Sequence, residues 1–180
     1  MQCIALDCEM VGVAPRYVPG RKPKKQSNMV ARVVIVNDSG RVLYDSLVAP
    51  QELIIDYRTH ISGVRPGDLD RAPSLASVQT DVLAILKDKI LVGHSLKLDL
   101  KVLQIDHPEE LRRDTAEYSK FSKYCIKGGQ YPALRRIASG LLGIKIQSGT
   151  HCPIEDARTA LKIYQACQAE WERDVARAFP

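Results

Sequence analysis

Residues 31–50, ARVVIVNDSGRVLYDSLVAP, form two runs rich in β-branched and apolar residues, joined at Ser39-Gly40. Runs of this kind read as strands, and the Ser-Gly junction between them is a hairpin signal. An earlier run over residues 2–8 alternates loosely and reads as another strand. The chain is therefore expected to open with three strands that lie as antiparallel neighbours.

After the hairpin the pattern changes. Residues 51–73 read as an irregular connection broken by Gly63, Pro66, Gly67 and Pro73. Ser74 then caps a helix whose apolar residues, Leu75, Val78, Val82, Leu83, Ile85 and Leu86, follow helical spacing. Residues 90–93 are a short buried strand, and residues 96–104 a helix with Leu96, Leu100 and Leu103 on one stripe. Residues 111–115 form a weak strand and 116–131 a loop. Residues 132–142 form a helix ended by Gly143, and a last helix runs from near Pro153 to about Trp171. The order β-β-β-α-β-α-β-α-α predicts an α/β fold, a mixed five-stranded sheet with helices on its faces. That is the element order of ribonuclease-H-like folds.

With 180 residues, 45% of them apolar, the chain suits a single core. No stretch approaches eighteen consecutive apolar residues, so a membrane-spanning helix is excluded and no membrane partner is expected. The first residues lack a basic leader before an apolar run, and Asp7 and Glu9 interrupt the one candidate, so no signal peptide is expected. The five cysteines are scattered and none has CxxC spacing, which argues against a disulfide framework or a structural zinc site and for a reducing compartment. The net charge is +5, and residues 14–29 alone contribute five cations (Arg16, Arg21, Lys22, Lys24, Lys25) and no acid. One loop thus carries the whole excess. It suits a polyanion, a short localisation signal of the RKPKK kind, or a solvated loop with no partner.

Against this background, residues 6–12, LDCEMVG, place two acids inside an apolar strand. Side chains at i and i+2 share a strand face, so Asp7 and Glu9 project together with Cys8 opposite. Paired carboxylates repel and lose hydration, and no Lys or Arg lies within the strand. Either a divalent cation of the Mg²⁺ or Mn²⁺ kind neutralises them, or both face solvent near a strand end. Asp99 falls in the apolar helical stretch GHSLKLDLKVL (93–103), and His94 precedes it. Asp99 is either inward or an exposed helical acid, and His94 alone reads as a core histidine. In HCPIEDARTALKIY (151–164), Pro153 suits a first helical turn, Asp156 lies in or just after it, and His151 precedes the helix. A loop histidine in that position suits a general base, and a surface histidine is the alternative.

LDCEMVG, GHSLKLDLKVL and HCPIEDAR, in this order and spacing, closely resemble the three motifs of the DEDDh 3′→5′ exonucleases, the DnaQ-like or RNase-T-like superfamily. DCEMVG with DYRTHISGV (56–64) is similar to the eukaryotic RNA exonuclease branch, nearest to the RNA exonuclease 4 type and the interferon-stimulated exonuclease. The resemblance spans residues 3 to 172 and implies an exonuclease domain over 1–172, with 14–29 as a basic insertion and 173–180 as a C-terminal tail. It implies that Asp7, Glu9, Asp99 and Asp156 hold two divalent ions, Mg²⁺ or Mn²⁺. By the same resemblance Asp7 would serve both ions, Glu9 and Asp156 would complete the first site, and Asp99 would help hold the second. His151 matches the general base. Met10 and Arg58 resemble positions that contact the terminal nucleotide, and His94 lines the same pocket. The implied partner is nucleic acid, single-stranded RNA before DNA. The implied role is RNA processing, ribosomal RNA included, in the nucleus or nucleolus.

Overall fold

The structure is a computed structural model that describes residues 2–15 and 26–179. The basic residues at 16–25 lie outside the described residues. Strand β1 (Cys3–Val13) pairs antiparallel with β2 (Ser27–Asn37), which pairs antiparallel with β3 (Val42–Leu47). A short strand β4 (Ile54–Asp56) pairs with the far end of β1, and a four-residue helix α1 (Thr59–Ser62) follows it. Then come α2 (Leu75–Leu86), β5 (Ile90–Gly93), α3 (Leu96–Leu103) and β6 (Arg112–Asp114). The chain ends with α4 (Leu134–Ile137), a wide π-type turn over Ala138–Leu142, and the long α5 (Pro153–Ala178). The sheet order is β3-β2-β1-β5-β6, with β5 parallel to β1 and β6 parallel to β5. The mixed sheet with helices on both faces is as expected. Among the described residues it has six strands rather than five, because β4 adds a two-residue pairing that no periodicity announces.

The period of β1 sorts its residues between two cores. Ile4, Leu6 and Cys8 pack toward α2 and α3 beside Leu75, Val82, Leu96 and Leu100. Cys3 and Ala5 pack toward α4 and α5 beside Ile137, Ala157, Ala160 and Tyr164. Small residues on both sides of the second contact let α5 lie close to the sheet. The Ser74 hydroxyl accepts from the Ser77 N–H and caps α2, and Gly143 ends the π-type turn at φ +68°, where a side chain would be strained.

The last helix runs past Trp171 to Ala178, so most of the expected tail at 173–180 is helical. A kink at Cys167 interrupts the regular helix. Beyond it, Trp171 stacks on Tyr118 with ring centroids 4.0 Å apart. Glu172 accepts two hydrogen bonds from the buried Arg113, at 2.7 and 2.8 Å, and a third from Tyr164 at 3.0 Å. Glu172→Ala leaves the Arg113 guanidinium without its counter-charge. The expected cost is about 3 kcal/mol, the lower end for a broken buried pair because Arg113 also donates to two backbone carbonyls. A urea titration should show a lower midpoint with an unchanged slope; an unmoved midpoint would mean the segment beyond the kink folds independently.

Candidate active site

The edge of β1 that faces β5 is only partly paired. Pairing with β5 covers Cys3–Ala5, and pairing with β4 covers Gly12 and Val13. Among the described residues, the stretch between them, which contains Asp7, Glu9 and Met10, has no strand on that side. β5 stops at Gly93, where an added Cβ would lie 2.3 Å from Leu96 Cδ2 and 3.1 Å from the Leu6 carbonyl oxygen. The chain therefore turns at Gly93, and the His94–Asp99 segment crosses the gap. Cys8, through its thiol and its backbone N–H, draws the Asp99 carboxyl down against the effect of burial. On the other edge the β1–β2 register skips Ala31 between Glu9 and Met10. Such a bulge re-aims the side chains beside it, so successive residues of β1 line one cleft.

That cleft, about 240 Å³, brings together Asp7, Glu9, Met10, Arg58, His94 and Asp99, along with Cys8, Asn28, Ile61, Ser95 and Leu98. Six of the eight expected site residues thus share one wall-to-wall space. Asp156 reaches the same acids from the first turn of α5 without lining the cleft. His151 stands on the other side of Asp156 and borders a separate depression with Arg32, Arg71 and Cys152. Its Nδ1 lies 3.7 Å from Asp156 Oδ2, and its backbone N–H donates to the Ile61 carbonyl at 2.9 Å.

Glu9, Asp99 and Asp156 are buried, and Asp7 is half-buried. Burial, then the charges of Asp99, Asp156 and Glu9, hold Asp7 well above the usual carboxylate range. Burial and then Asp156 push Glu9 up to about 8, against the pull of Arg32. Asp99 is raised by burial and Asp114, and Asp156 by burial. Arg32 sits directly across from Glu9 on β2, a neighbour that a search within the strand could not reveal. It is committed to Asp45 by two hydrogen bonds of 2.8 Å, so the acids are left under-neutralised.

Among the described residues no group of three His, Cys, Asp or Glu side chains already stands in ion-binding geometry. Asp156 Oδ2 is turned to the Gln147 amide and Asp99 to Cys8. The donor set nevertheless fits a hard cation. It is all carboxylate, dehydrated and mutually repelling, and Asp156 Oδ1 is buried with no hydrogen-bond partner.

Around the acids the other residues are held firmly. Arg58 has a left-handed backbone, φ +49°. Its N–H donates to Asp56 Oδ1 and its guanidinium to Asn28 Oδ1, both at 2.9 Å. Burial pushes His94 down to about 4, so its ring is neutral near pH 7. The ring hydrogen-bonds the Thr115 hydroxyl at 2.8 Å, and that hydroxyl donates to the Gly93 carbonyl. Asp114 accepts from the N–H groups of Ser95, Leu96 and Ala116 and so fixes the turn into α3. Asn28, Asp114 and Gln147 were not expected at the site. Nothing local in the sequence marks them, because their importance lies in contacts made across the fold.

The sequence model of the exonuclease family (RNase_T) matches residues 4–164. Human RNA exonuclease 4 is 45% identical over 171 residues, 95% of this chain and 38% of that protein. RNA exonuclease 4 of Aspergillus fumigatus is 42% identical over 177 residues, 98% of this chain and 54% of that protein. This chain therefore spans well under two thirds of the length of these relatives. Among solved structures, the Saccharomyces cerevisiae Pan2 pseudoubiquitin hydrolase–RNA exonuclease module in complex with A7 RNA superposes with a TM-score of 0.74 at 30% identity. The match covers 99% of this chain and 31% of that one. The Neurospora crassa Pan2 catalytic unit gives a TM-score of 0.73 at 26% identity, over 99% of this chain and 30% of that one.

Proposed function

The chain belongs to the RNase_T exonuclease family, and we propose that it is a 3′→5′ exoribonuclease that releases 5′-mononucleotides from the 3′ end of an RNA strand. The observation that carries this reading is the convergence of three desolvated carboxylates, Asp7, Glu9 and Asp99, on one cleft that also holds Arg58 and Met10, with Asp156 acting on the same acids from the first turn of α5. Exonucleases of this family depend on divalent cations. Here Asp7, Glu9, Asp99 and Asp156 would hold two of them, Mg²⁺ or Mn²⁺. Bound divalent cations stabilise charge on phosphoryl oxygens and lower the pKa of water.

The protein's own residues perform the remaining tasks. Met10, Arg58 and Asn28 receive the terminal nucleotide, and the Arg58 guanidinium faces the hydroxyl-bearing sugar edge that distinguishes RNA. The neutral ring of His94 adds a wall without adding charge. His151, beside Asp156, takes the proton from the attacking water. As the water oxygen bonds to phosphorus the P–O3′ bond breaks, and the departing 3′-oxygen takes a proton from solvent to become the 3′-hydroxyl of the shortened strand. The name of the human relative and the RNA in the yeast Pan2 complexes support RNA over DNA. A ribosomal RNA substrate and a nuclear or nucleolar setting belong to the same proposal.

The deciding experiment uses single-stranded RNA, duplex RNA and DNA, each labelled at the 5′ end, with Mg²⁺ or Mn²⁺ and with a chelator. The expected result is a ladder that shortens one nucleotide at a time on single-stranded RNA and stops with chelator. Faster loss of DNA would move the assignment to a deoxyribonuclease, and an internal cut would end the exonuclease reading.

The basic residues lie outside the described residues, but the strand ends that flank them, Val13 and Ser27, line a polar pocket that shares Asn28 and Leu98 with the cleft. We assign the basic segment to guiding the RNA strand. Replacing Lys22, Lys24 and Lys25 with serine should weaken RNA affinity and reduce the salt slope of log K by up to about 2, from roughly 0.7 per phosphate contact on a single strand. An unchanged slope would favour a localisation signal.

A further inference from the structure

We propose that Gln147 is a positioning residue that divides the two oxygens of Asp156, holding Oδ2 so that Oδ1 is left free for a cation. This rests on the reading of Asp156 as a cation ligand. The Gln147 side-chain amide donates to Asp156 Oδ2 at 2.9 Å, and its backbone N–H donates to Glu155 Oε2 at 3.4 Å. One residue thus grips both acids of the first turn of α5. Asp156 Oδ1 is the oxygen left buried and unpartnered.

The loop before α5 is built to make this contact. Ile146 is buried in the core beneath α5 and pins the chain one residue earlier. Gln147 itself takes a left-handed backbone, φ +56°, which costs a non-glycine residue on the order of 1 kcal/mol. The unfavourable turn directs the amide back onto the helix. Four residues on, the His151 N–H is fixed to the Ile61 carbonyl. Ile61 lines the cleft, so the loop is tied to the nucleotide-facing wall at one end and to Asp156 at the other.

The choice of a neutral amide has a chemical consequence. A lysine or arginine at this place would orient the carboxylate but also cancel the charge that attracts the cation. An amide fixes the carboxylate plane and leaves the charge intact. It also sets where Asp156 Oδ2 lies relative to the His151 ring, 3.7 Å away. Groups that hydrogen-bond a metal-binding carboxylate are worth about 10–100-fold in metal affinity or activity.

The backbone conformation supplies the control. Gln147→Gly keeps the left-handed turn and removes the amide. Gln147→Asn also tolerates that turn but withdraws the amide by one methylene. If Gln147 served the loop alone, both changes would be neutral or stabilising. The positioning role predicts that both lose about 10–100-fold in Mn²⁺ affinity, measured on the whole chain by calorimetric titration with the metal alone. Melting temperatures should stay close to the parent's, and kcat on RNA should fall while KM is held. Gln147→Glu, which sets an acceptor against an acceptor, should lose the most. Parent-like Mn²⁺ affinity and kcat in the glycine and asparagine variants overturn the inference while leaving the exonuclease reading standing. A parent chain that neither binds Mn²⁺ nor cleaves RNA removes the reading itself, and the inference with it.

Discussion

Asp7→Asn is expected to abolish RNA hydrolysis and at the same time to raise the melting temperature of the cation-free chain. Both effects come from one arrangement. Asp7 is pressed by burial and by Asp99, Asp156 and Glu9, so its ionised form is disfavoured in the fold. Asparagine nearly preserves its shape and removes a charge that the folded state cannot neutralise. The same charge is what would draw divalent cations to the cleft. Losing it should cost about 10³-fold or more in rate, the equivalent of several kcal/mol of transition-state stabilisation. A variant that digested RNA like the parent would end the carboxylate assignment. A variant that melted lower would show that Asp7 is held by favourable contacts rather than strained by repulsion.

The pH dependence follows with a definite sign. Glu9 titrates near 8 in the fold against an ordinary 4.5. Between those values the folded chain keeps a proton that the unfolded chain has released, so stability is greatest below the ordinary value and falls as pH rises toward 8. His94, lowered to about 4, acts oppositely, but its contribution is complete once pH passes about 6.5. The fall between roughly 6.5 and 8 therefore belongs to the acids and should amount to about 1–2 kcal/mol for Glu9. Glu9→Gln should flatten it. Mg²⁺ should reverse it, by about 2.7 kcal/mol at a hundred times its dissociation constant. Calorimetry of the chelated chain at pH 6.5 and 8, with and without added Mg²⁺, tests all three. Equal melting temperatures at both pH values without cation would mean the acids are already neutralised.

The hairpin at Ser39-Gly40, the cap at Ser74 and the stop at Gly143 depend on local chemistry, and each was legible in the sequence. The alternation of β1 put Asp7 and Glu9 on one face, whereas helical spacing left Asp99 either inward or exposed, and only the resemblance joined Asp99 and Asp156 to them. What escaped depends on register and on distant partners. β4 has three residues, too few for a period, and forms because Gly12 and Val13 offer an unpaired edge. Arg32 meets Glu9 only once the β1–β2 register is set, and the bulge after Glu9 is likewise a property of the pair. Helix α5 outran its expected end because what holds its last turns are distant partners, Arg113 on Glu172 and Tyr118 on Asp174, although Trp171 and Val175 keep step with Leu161 and Tyr164 across the kink at Cys167. Gln147 and Asn28 lie outside the three motifs and matter only through the side chains they hold.

His151→Ala should lose about 10²–10⁴-fold in kcat near neutral pH and regain part of the loss as pH rises and hydroxide becomes plentiful. The effect can be ascribed to the ring because the ring does not hold the loop. The His151 backbone N–H is fixed to the Ile61 carbonyl, Ile146 is anchored in the core, and Gln147 grips the first turn of α5. Alanine at 151 leaves all of these in place. The imidazole is partly open to solvent, with 36% of the side chain exposed, so its removal should barely change stability. His94 gives the contrast. Its ring is buried, neutral near pH 7 and bonded to Thr115, so it cannot exchange a proton usefully at the pH where the reaction runs. His94→Ala should therefore raise KM by altering the cleft wall while leaving the shape of the kcat–pH profile unchanged. Parallel profiles for His151→Ala and the parent would remove His151 from the base role. A distorted kcat profile for His94→Ala would transfer that role to the histidine inside the cleft.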